Sequence, residues 1–107
     1  MRLTSKEKAA IALAGRECFP PRSAIRLFGS RLDDSRRGGD IDLLVETPAP
    51  LAPETLVEQR NRFIARLYRL LGEQRIDVLI APANAPDDRP IIETARRDGR
   101  LLGKVPE

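Results

Sequence analysis

The amino-acid sequence predicts an α/β domain in which helices pack around a small sheet. Short apolar runs with strand character alternate along the chain with longer segments whose apolar residues recur every three or four positions, as on one face of a helix. Clusters of glycine and proline separate these segments and supply the turns. The resulting order is helix, strand, strand, helix, strand, helix, which is typical of a sheet covered by helices.

Length and composition set further limits. The chain has 107 residues, so residues 1–107 are expected to form one domain. No apolar run approaches the roughly 20 residues of a membrane-spanning helix, and the N-terminus lacks an apolar signal segment. The single cysteine excludes an internal disulfide and suits a reducing compartment. We therefore expect a cytoplasmic protein that has no membrane contact.

The absence of histidine excludes several chemistries. Zinc sites with histidine ligands, Ser-His-Asp catalysis and Cys-His catalysis all need this residue. Acid–base work falls instead to carboxylates, Lys, Tyr or water assisted by Arg. The net charge of +3 favours phosphates, nucleic acid or an acidic partner, although an ordinary solvated surface is the simpler explanation.

The first predicted helix runs from Ser5 to Glu17. Thr4, followed three residues later by Glu7, has the pattern of a capping box, in which each residue's side chain accepts a hydrogen bond from the other's backbone N–H. Pro20-Pro21 prevents the helix from continuing, because proline lacks the N–H and its ring clashes with the preceding turn.

Two strands are predicted next. Ala24 to Phe28 forms the first strand, which ends at Gly29-Ser30. A polar loop from Arg31 to Gly39, with room for one helical turn, leads to the second strand, Asp40 to Glu46.

The second half of the chain starts with the longest helix. It begins at Pro53 or Glu54 and ends near Leu71, with Gly72 as its C-terminal cap. A third strand is predicted over Arg75 to Ala81. Pro90 starts a short helix that ends near Gly99, and the tail from Arg100 to Glu107 adds a final turn or strand.

Aspartates occur in two of the three main strands, although this residue is depleted in strands. Asp40 and Asp42 alternate with apolar residues, so both carboxylates point to one face of their strand. Asp77 repeats the pattern in the third strand. If the strands are neighbours, three like charges share one face and repel one another. A divalent cation such as Mg²⁺, which prefers carboxylate oxygens, reverses that repulsion.

An interpretation without a metal ion remains open for each strand taken alone. In that interpretation, Asp40 and Asp42 are two acids on an exposed strand face, and Asp77 pairs with Arg75 or Arg26.

Gly29-Ser30-Arg31 follows the first strand. Glycine permits a positive φ, and a chain that leaves a strand into a helical turn presents free N–H groups that bind phosphate. Ser30 adds a hydroxyl and Arg31 adds a charged fork. Taken alone, however, Gly-Ser is an ordinary turn.

The combination is more specific than its parts. Phe28-Gly29-Ser30 is followed by a nine-residue spacer from Arg31 to Gly39, then Asp40-Ile41-Asp42, then a helix and a strand with Asp77. This arrangement, over about Ala24 to Ala81, resembles the nucleotidyltransferase superfamily of DNA polymerase beta type. The short length and the sequence motifs Leu-Phe-Gly-Ser-Arg and Gly-Asp-Ile-Asp-Leu-Leu-Val are most similar to those of its minimal nucleotidyltransferase (MNT) group. The segment from Ile91 to Leu101 is also similar to the tail of that group.

The resemblance implies a polymerase beta-like fold with a small mixed sheet, and a Mg-dependent enzyme. ATP is the family's usual nucleotide donor. The ligands of two Mg²⁺ ions would be Asp40, Asp42 and Asp77, and Asp77 would also help to deprotonate the acceptor hydroxyl. The phosphates would be held by Gly29 and Ser30, with Arg31 assisting the leaving pyrophosphate.

The resemblance also points to a partner. MNT proteins often act as antitoxins of helical HEPN ribonuclease toxins, and some adenylylate a tyrosine on the toxin. We therefore expect a protein adenylyltransferase in a homo- or hetero-oligomer. Two alternatives stay open: a non-catalytic antitoxin that blocks its toxin by contact, and the catalytic subunit of a small-molecule nucleotidyltransferase. Direct nucleic-acid binding is not expected, because the basic residues are scattered and no aromatic platform accompanies them.

Several other residues receive ordinary interpretations. Phe63 and Leu67 are expected in the core, and Cys18 is expected to be a passive small residue. Arg36-Arg37 either contacts the nucleotide or a partner, or lies in a loop. A solvated or partner-facing surface is predicted for the arginines of the long helix, which are Arg60, Arg62, Arg66 and Arg69.

Overall fold

Four strands of the described chain form one mixed sheet in the order β3-β2-β1-β4. The computed structural model describes residues 1–35 and 39–107, so the predicted contacts of Arg36-Arg37 lie outside the described residues. β2 pairs antiparallel with β1 and parallel with β3, and β4 pairs antiparallel with β1. The strands are β1 Ala24–Phe28, β2 Ile41–Thr47, β3 Ile76–Pro82 and β4 Arg100–Lys104.

The helices confirm the predicted segments: α1 is Ser5–Cys18, α2 is Pro53–Leu71 and α3 is Pro90–Asp98. The capping box at the start of α1 is present. The N–H of Glu7 donates to the Thr4 hydroxyl at 3.0 Å, and the Glu7 carboxylate accepts from the N–H of Thr4 at 2.9 Å. A short 3₁₀ turn at Gly29–Leu32 directly follows β1. The helical turn therefore starts two residues before the predicted loop.

Each face of the sheet has its own apolar core. Strand residues that point one way pack against α1 and α2, and the buried Phe63 and Leu67 of α2 confirm their predicted place there. Phe28 and Leu44 point to the other face, where they pack with Ile92 and Ala95 of α3. The α3 cluster is smaller, so the second face stays open at the end where β2 and β3 begin.

The starts of two strands differ from prediction by one residue. β2 begins at Ile41 rather than Asp40, and β3 begins at Ile76 rather than Arg75. The N–H of Ile41 donates to the carbonyl of Arg75 at 3.0 Å, which marks the first hydrogen bond between the two strands. Asp40 therefore lies just before β2.

The fold is thus a small α/β arrangement with a mixed sheet, as expected, and the C-terminal tail supplies the fourth strand. Within residues 1–35 and 39–107, no helix is long and apolar enough to cross a membrane.

Candidate active site

Asp42 and Asp77 face each other across the parallel pair of β2 and β3. They are register partners, with backbones about 4.8 Å apart, the usual spacing of paired strands. Side chains directly opposite in a sheet point to the same face, so both carboxylates lie on the face that α3 covers only in part. Asp42 is half-buried and Asp77 is exposed. The predicted sharing of one face is therefore confirmed for these two residues.

Asp40 lies just before β2 and is half-buried. Its negative charge repels that of the Asp42 carboxylate. Burial raises the pKa of the Asp42 carboxyl to about 6, and repulsion from Asp77 and then from Asp40 adds to the shift. Both of the other predicted acids thus act on the Asp42 carboxyl in the fold.

None of the three carboxylates has a cationic partner among the ion pairs of the described residues. The alternative in which Asp77 pairs with Arg75 or Arg26 is not what the structure shows. Arg26 instead donates to Glu46 at 2.7 Å, and no ion pair joins Asp77 to Arg75.

The turn after β1 packs directly on Asp42. Gly29 has φ +77°, a conformation that favours glycine. A methyl group at this position would collide with the Asp42 carboxylate, whose Cγ lies 3.1 Å from where that methyl would sit. A methyl group at Gly39, which also has a positive φ, would collide with the hydroxyl of Ser30. Two glycines therefore let the Gly-Ser turn and the start of β2 approach each other closely.

Arg31 holds this turn in place. Its guanidinium donates to the carbonyls of Arg2 at 2.9 Å and Gly39 at 3.3 Å, and it lies 3.6 Å from the carboxylate of Glu7. Only 17% of the side chain is exposed. A role for Arg31 in assisting pyrophosphate stays a prediction, and in this conformation the residue joins the turn to α1.

Arg2 is a positioning residue that the sequence analysis missed. Its guanidinium donates to the carbonyls of Ser30 at 2.9 Å and Asp33 at 2.8 Å, and its N–H donates to the carbonyl of Arg31 at 2.7 Å. No motif marks an arginine at this position, because its partners are backbone carbonyls brought near by the fold.

An open cleft of about 480 Å³ lies beside Asp40. Arg31 and Gly39 line one part of it, and Gln74 and Arg75, from the loop before β3, line another. Of the predicted site residues, Asp40 and Arg31 thus border this cleft, and Glu7 and Arg75 add one acid and one base to its lining, a feature that the sequence alone did not reveal.

The acids are neighbours without forming a closed ligand shell. Among the described residues, no three side chains of the His, Cys, Asp or Glu type are arranged as a group that could already hold a metal ion. The two-ion site therefore stays a prediction, based on three carboxylates that take part in no ion pair within residues 1–35 and 39–107.

Another acid on the same face behaves differently. Glu46, four residues after Asp42 on β2, is 8% exposed. Its two carboxylate oxygens accept hydrogen bonds from Arg26 at 2.7 Å and from Arg96 at 3.1 Å. Glu46 is thus a structural acid, whereas no arginine of the described residues forms an ion pair with Asp42.

A scan of the sequence against known protein families gives no match, and a search of curated proteins gives none either.

Proposed function

We propose that this protein is a Mg-dependent nucleotidyltransferase that moves AMP from ATP onto a hydroxyl group of a partner protein, as the antitoxin of an MNT/HEPN pair. The observation that carries the proposal is the pairing of Asp42 with Asp77 beside the Gly29-Ser30 turn. Neither carboxylate forms an ion pair with a described residue, so their mutual repulsion lowers the stability of the fold, and a bound cation would remove that repulsion.

The donor atoms fit magnesium. Mg²⁺ prefers hard oxygen ligands and usually takes one or two carboxylates, completing its shell with water and substrate phosphates. Asp42 and Asp77 offer carboxylates on one open face, Asp40 adds a third just before β2, and no nitrogen or sulfur donor competes with them. The ions would supply charge neutralisation for the triphosphate and a lower pKa for the acceptor hydroxyl.

The turn at Gly29–Leu32 supports the proposal from the other side. It directly follows β1, and its backbone lies against Asp42 because residue 29 carries no side chain. N–H groups at the start of a helical turn favour anions. We assign the β- and γ-phosphates to Gly29 and Ser30, which brings the triphosphate next to the carboxylates.

The reaction balances with few parts. The acceptor oxygen forms a bond to the α-phosphorus, the bond from that phosphorus to the β-bridging oxygen breaks, and pyrophosphate leaves. The proton of the acceptor hydroxyl passes to Asp77, which is exposed and therefore accessible to an incoming side chain. Catalysis then consists mainly of positioning and charge stabilisation.

The test uses ATP labelled at the α-phosphate, Mg²⁺ and the protein encoded by the adjacent gene, which we expect to be a small helical ribonuclease. Label should appear on the partner with the wild-type chain, and Asp42→Asn should lower the rate by at least about 100-fold, since it removes a ligand of the reacting complex. Asp88→Asn, at an exposed aspartate without an ion pair, is the matched control and should keep full activity.

A second readout needs no partner. Calorimetric titration with Mg²⁺ and a non-hydrolysable ATP analogue should show binding that Asp42→Asn abolishes and Asp88→Asn preserves. Equal binding and partner inhibition by wild type and Asp42→Asn, without label transfer, would instead establish a non-catalytic antitoxin. Label on a small molecule rather than on the partner would favour the small-molecule transferase.

A further inference from the structure

The two edges of the sheet are finished in different ways. β3 forms one edge of the sheet. The carbonyl of Arg75 and the N–H of Ala83 both bond to β2, so the odd-numbered residues point inward. The carbonyls of the even-numbered residues therefore point outward, away from the sheet. Three successive outward carbonyls accept hydrogen bonds from arginines. The pairs are Arg60 to Val78 at 2.9 Å, Arg89 to Ile80 at 3.2 Å and Arg96 to Pro82 at 2.8 Å. Among the described residues, the Ile76 carbonyl at the start of β3 is the one outward acceptor of the strand without such an arginine, so this edge is closed to another strand over Val78 to Pro82.

The β4 edge lacks such protection. No side chain donates to a β4 carbonyl in any hydrogen bond of the described residues. Val105 lies just after β4 and bonds to the β1 side. Its N–H donates to the carbonyl of Ser23 at 2.8 Å, and its carbonyl accepts from the N–H of Arg22 at 2.8 Å. By alternation, the N–H and carbonyl of Lys104 point away from β1, toward solvent. This edge therefore offers an unpaired donor and acceptor.

An apolar slot lies beside these free groups. Gly103 pairs with Ile25, so its missing side chain would point toward α1, and nothing lies within 4 Å of that position. The slot has a volume of about 40 Å³ and is lined by Ile11 and Ala12 of α1 together with Ile25. One water needs roughly 10–15 Å³ by the same kind of measure, so an aliphatic side chain has room to enter.

Charge selects what fits there. Lys8 and Lys104 also line the slot, and no acidic residue does. A second copy of this chain would bring lysine to the same edge as lysine, which is unfavourable. In an added strand, the residue opposite Gly103 points into the slot, while its two neighbours point to the face that carries the side chain of Lys104. The cleft on that face is lined by three cations, Arg22, Arg26 and Lys104, and by one acid, Glu46, so acids suit these neighbouring positions.

We infer that the β4 edge, with the slot at Gly103, is a docking site for an extended segment of a partner protein in which an aliphatic residue stands between two acids. The segment adds to β4 as a fifth strand through the backbone of Lys104, and its aliphatic side chain fills the slot. This mode of recognition draws affinity from backbone hydrogen bonds and specificity from the pocket. The inference does not depend on nucleotidyl transfer.

The experiment pans a library of displayed random heptapeptides against the whole protein, then measures binding of the enriched peptides by fluorescence polarisation. We expect enriched sequences with the pattern acid–aliphatic–acid. Gly103→Leu should weaken them at least about tenfold by filling the slot, and Lys104→Glu should do so by reversing the charge. Ala9→Leu and Lys6→Glu, at exposed α1 residues outside the slot, are the matched controls and should bind as wild type does.

Amide hydrogen exchange gives a direct readout of strand addition. The N–H of Lys104 should exchange at least about tenfold more slowly when an enriched peptide is bound, with no change along β3. Enrichment of no peptide, binding unaffected by Gly103→Leu in a folded variant, or a peptide pattern without acids would each overturn the inference. A concentration-dependent dimer that Gly103→Leu dissociates would overturn it in favour of a second copy.

Discussion

Asp42 and Glu46 lie on the same strand and the same face, four residues apart, yet their surroundings are opposite. Glu46 is buried and receives one arginine on each carboxylate oxygen. Asp42 is half-buried and has two further acids as its charged neighbours. One end of β2 thus carries a balanced charge and the other carries an unbalanced one. Position in the fold, and not residue type, separates a structural acid from a candidate catalytic acid.

The balanced end organises several elements at once. Arg96 of α3 bonds to Glu46 and to the carbonyls of Pro82 at 2.8 Å and Ala85 at 2.7 Å. It therefore joins α3 to β2 and to the loop after β3. At the unbalanced end, by contrast, the Gly29 backbone packs against the Asp42 carboxylate, and Asp42 takes part in no ion pair of the described residues. The comparison predicts opposite effects when each acid is made neutral.

Glu46→Gln should have the largest effect on stability, a loss of about 2–3 kcal/mol. Removing one partner of a buried ionic group leaves the others uncompensated, and the 30% and 25% exposure of Arg26 and Arg96 softens this penalty. Urea unfolding monitored by circular dichroism measures the change. Glu17→Gln breaks the exposed pair with Arg66 and should cost under about 0.5 kcal/mol. Equal losses for the two variants would mean that the Glu46 cluster contributes no more than a surface pair.

Gly29→Ala should cost about 2 kcal/mol. About half comes from the positive φ, which alanine resists, and the rest from contact between the new methyl and the Asp42 carboxylate. Gly72→Ala is the matched control, because Gly72 has φ +83° and nothing lies near its missing side chain; it should cost about 1 kcal/mol. Adding Asp42→Ala should lower the cost at Gly29 to that of Gly72. If the cost persists, the turn does not rest on Asp42.

Asp42→Asn should have the smallest effect and the opposite sign, a gain on the order of 1 kcal/mol at pH 7, because solvent around the half-buried carboxyl screens much of the unfavourable charge. A pKa of about 6 in the folded state exceeds the unfolded value of about 3.9, so the folded state binds the proton more tightly. The loss of folding stability that the ionised Asp42 carboxyl causes in wild type therefore grows as the pH rises from about 4 to 6, and it is constant above that.

Thermal unfolding of wild type and Asp42→Asn from pH 3.5 to 8 without divalent cations measures this difference, which should vanish near pH 4. Asp88→Asn should show no gain at any pH. A loss of stability in Asp42→Asn at pH 7 would show that the charge of Asp42 is structural, as that of Glu46 is. With saturating Mg²⁺ and an ATP analogue, wild type should instead be more stable to heat than Asp42→Asn.

Much of the fold follows from local sequence signals. The capping box at Thr4, the prolines that open α2 and α3, and the alternation in β1 each act within a few residues, so these elements match the predicted bounds closely. β2 and β3 each start one residue later than predicted. Their starts depend on the hydrogen bond between Ile41 and Arg75, which lie 34 positions apart, and no local pattern contains that pairing.

The site divides in the same way. Alternation along each strand correctly put the Asp42 and Asp77 side chains on one face, once the strands became neighbours. The partners of Arg26 and Arg31 were not foreseeable, because each arginine has several acids and carbonyls within reach of its long side chain. Only tertiary packing decides that Arg26 meets Glu46 and that Arg31 meets Glu7. The metal, nucleotide and partner stay predictions from the motif.

The three arginines along β3 also bear on how this protein behaves at high concentration. A continuous intermolecular sheet can grow only if both edges of the sheet in every copy have unpaired backbone N–H and carbonyl groups. A polymer likewise grows only if every monomer has two reactive ends. With β3 capped over Val78 to Pro82 and β4 open, each copy has one such end. A strand added to β4 terminates the assembly, so any pairing through this sheet stops at a closed complex and does not extend into a fibre.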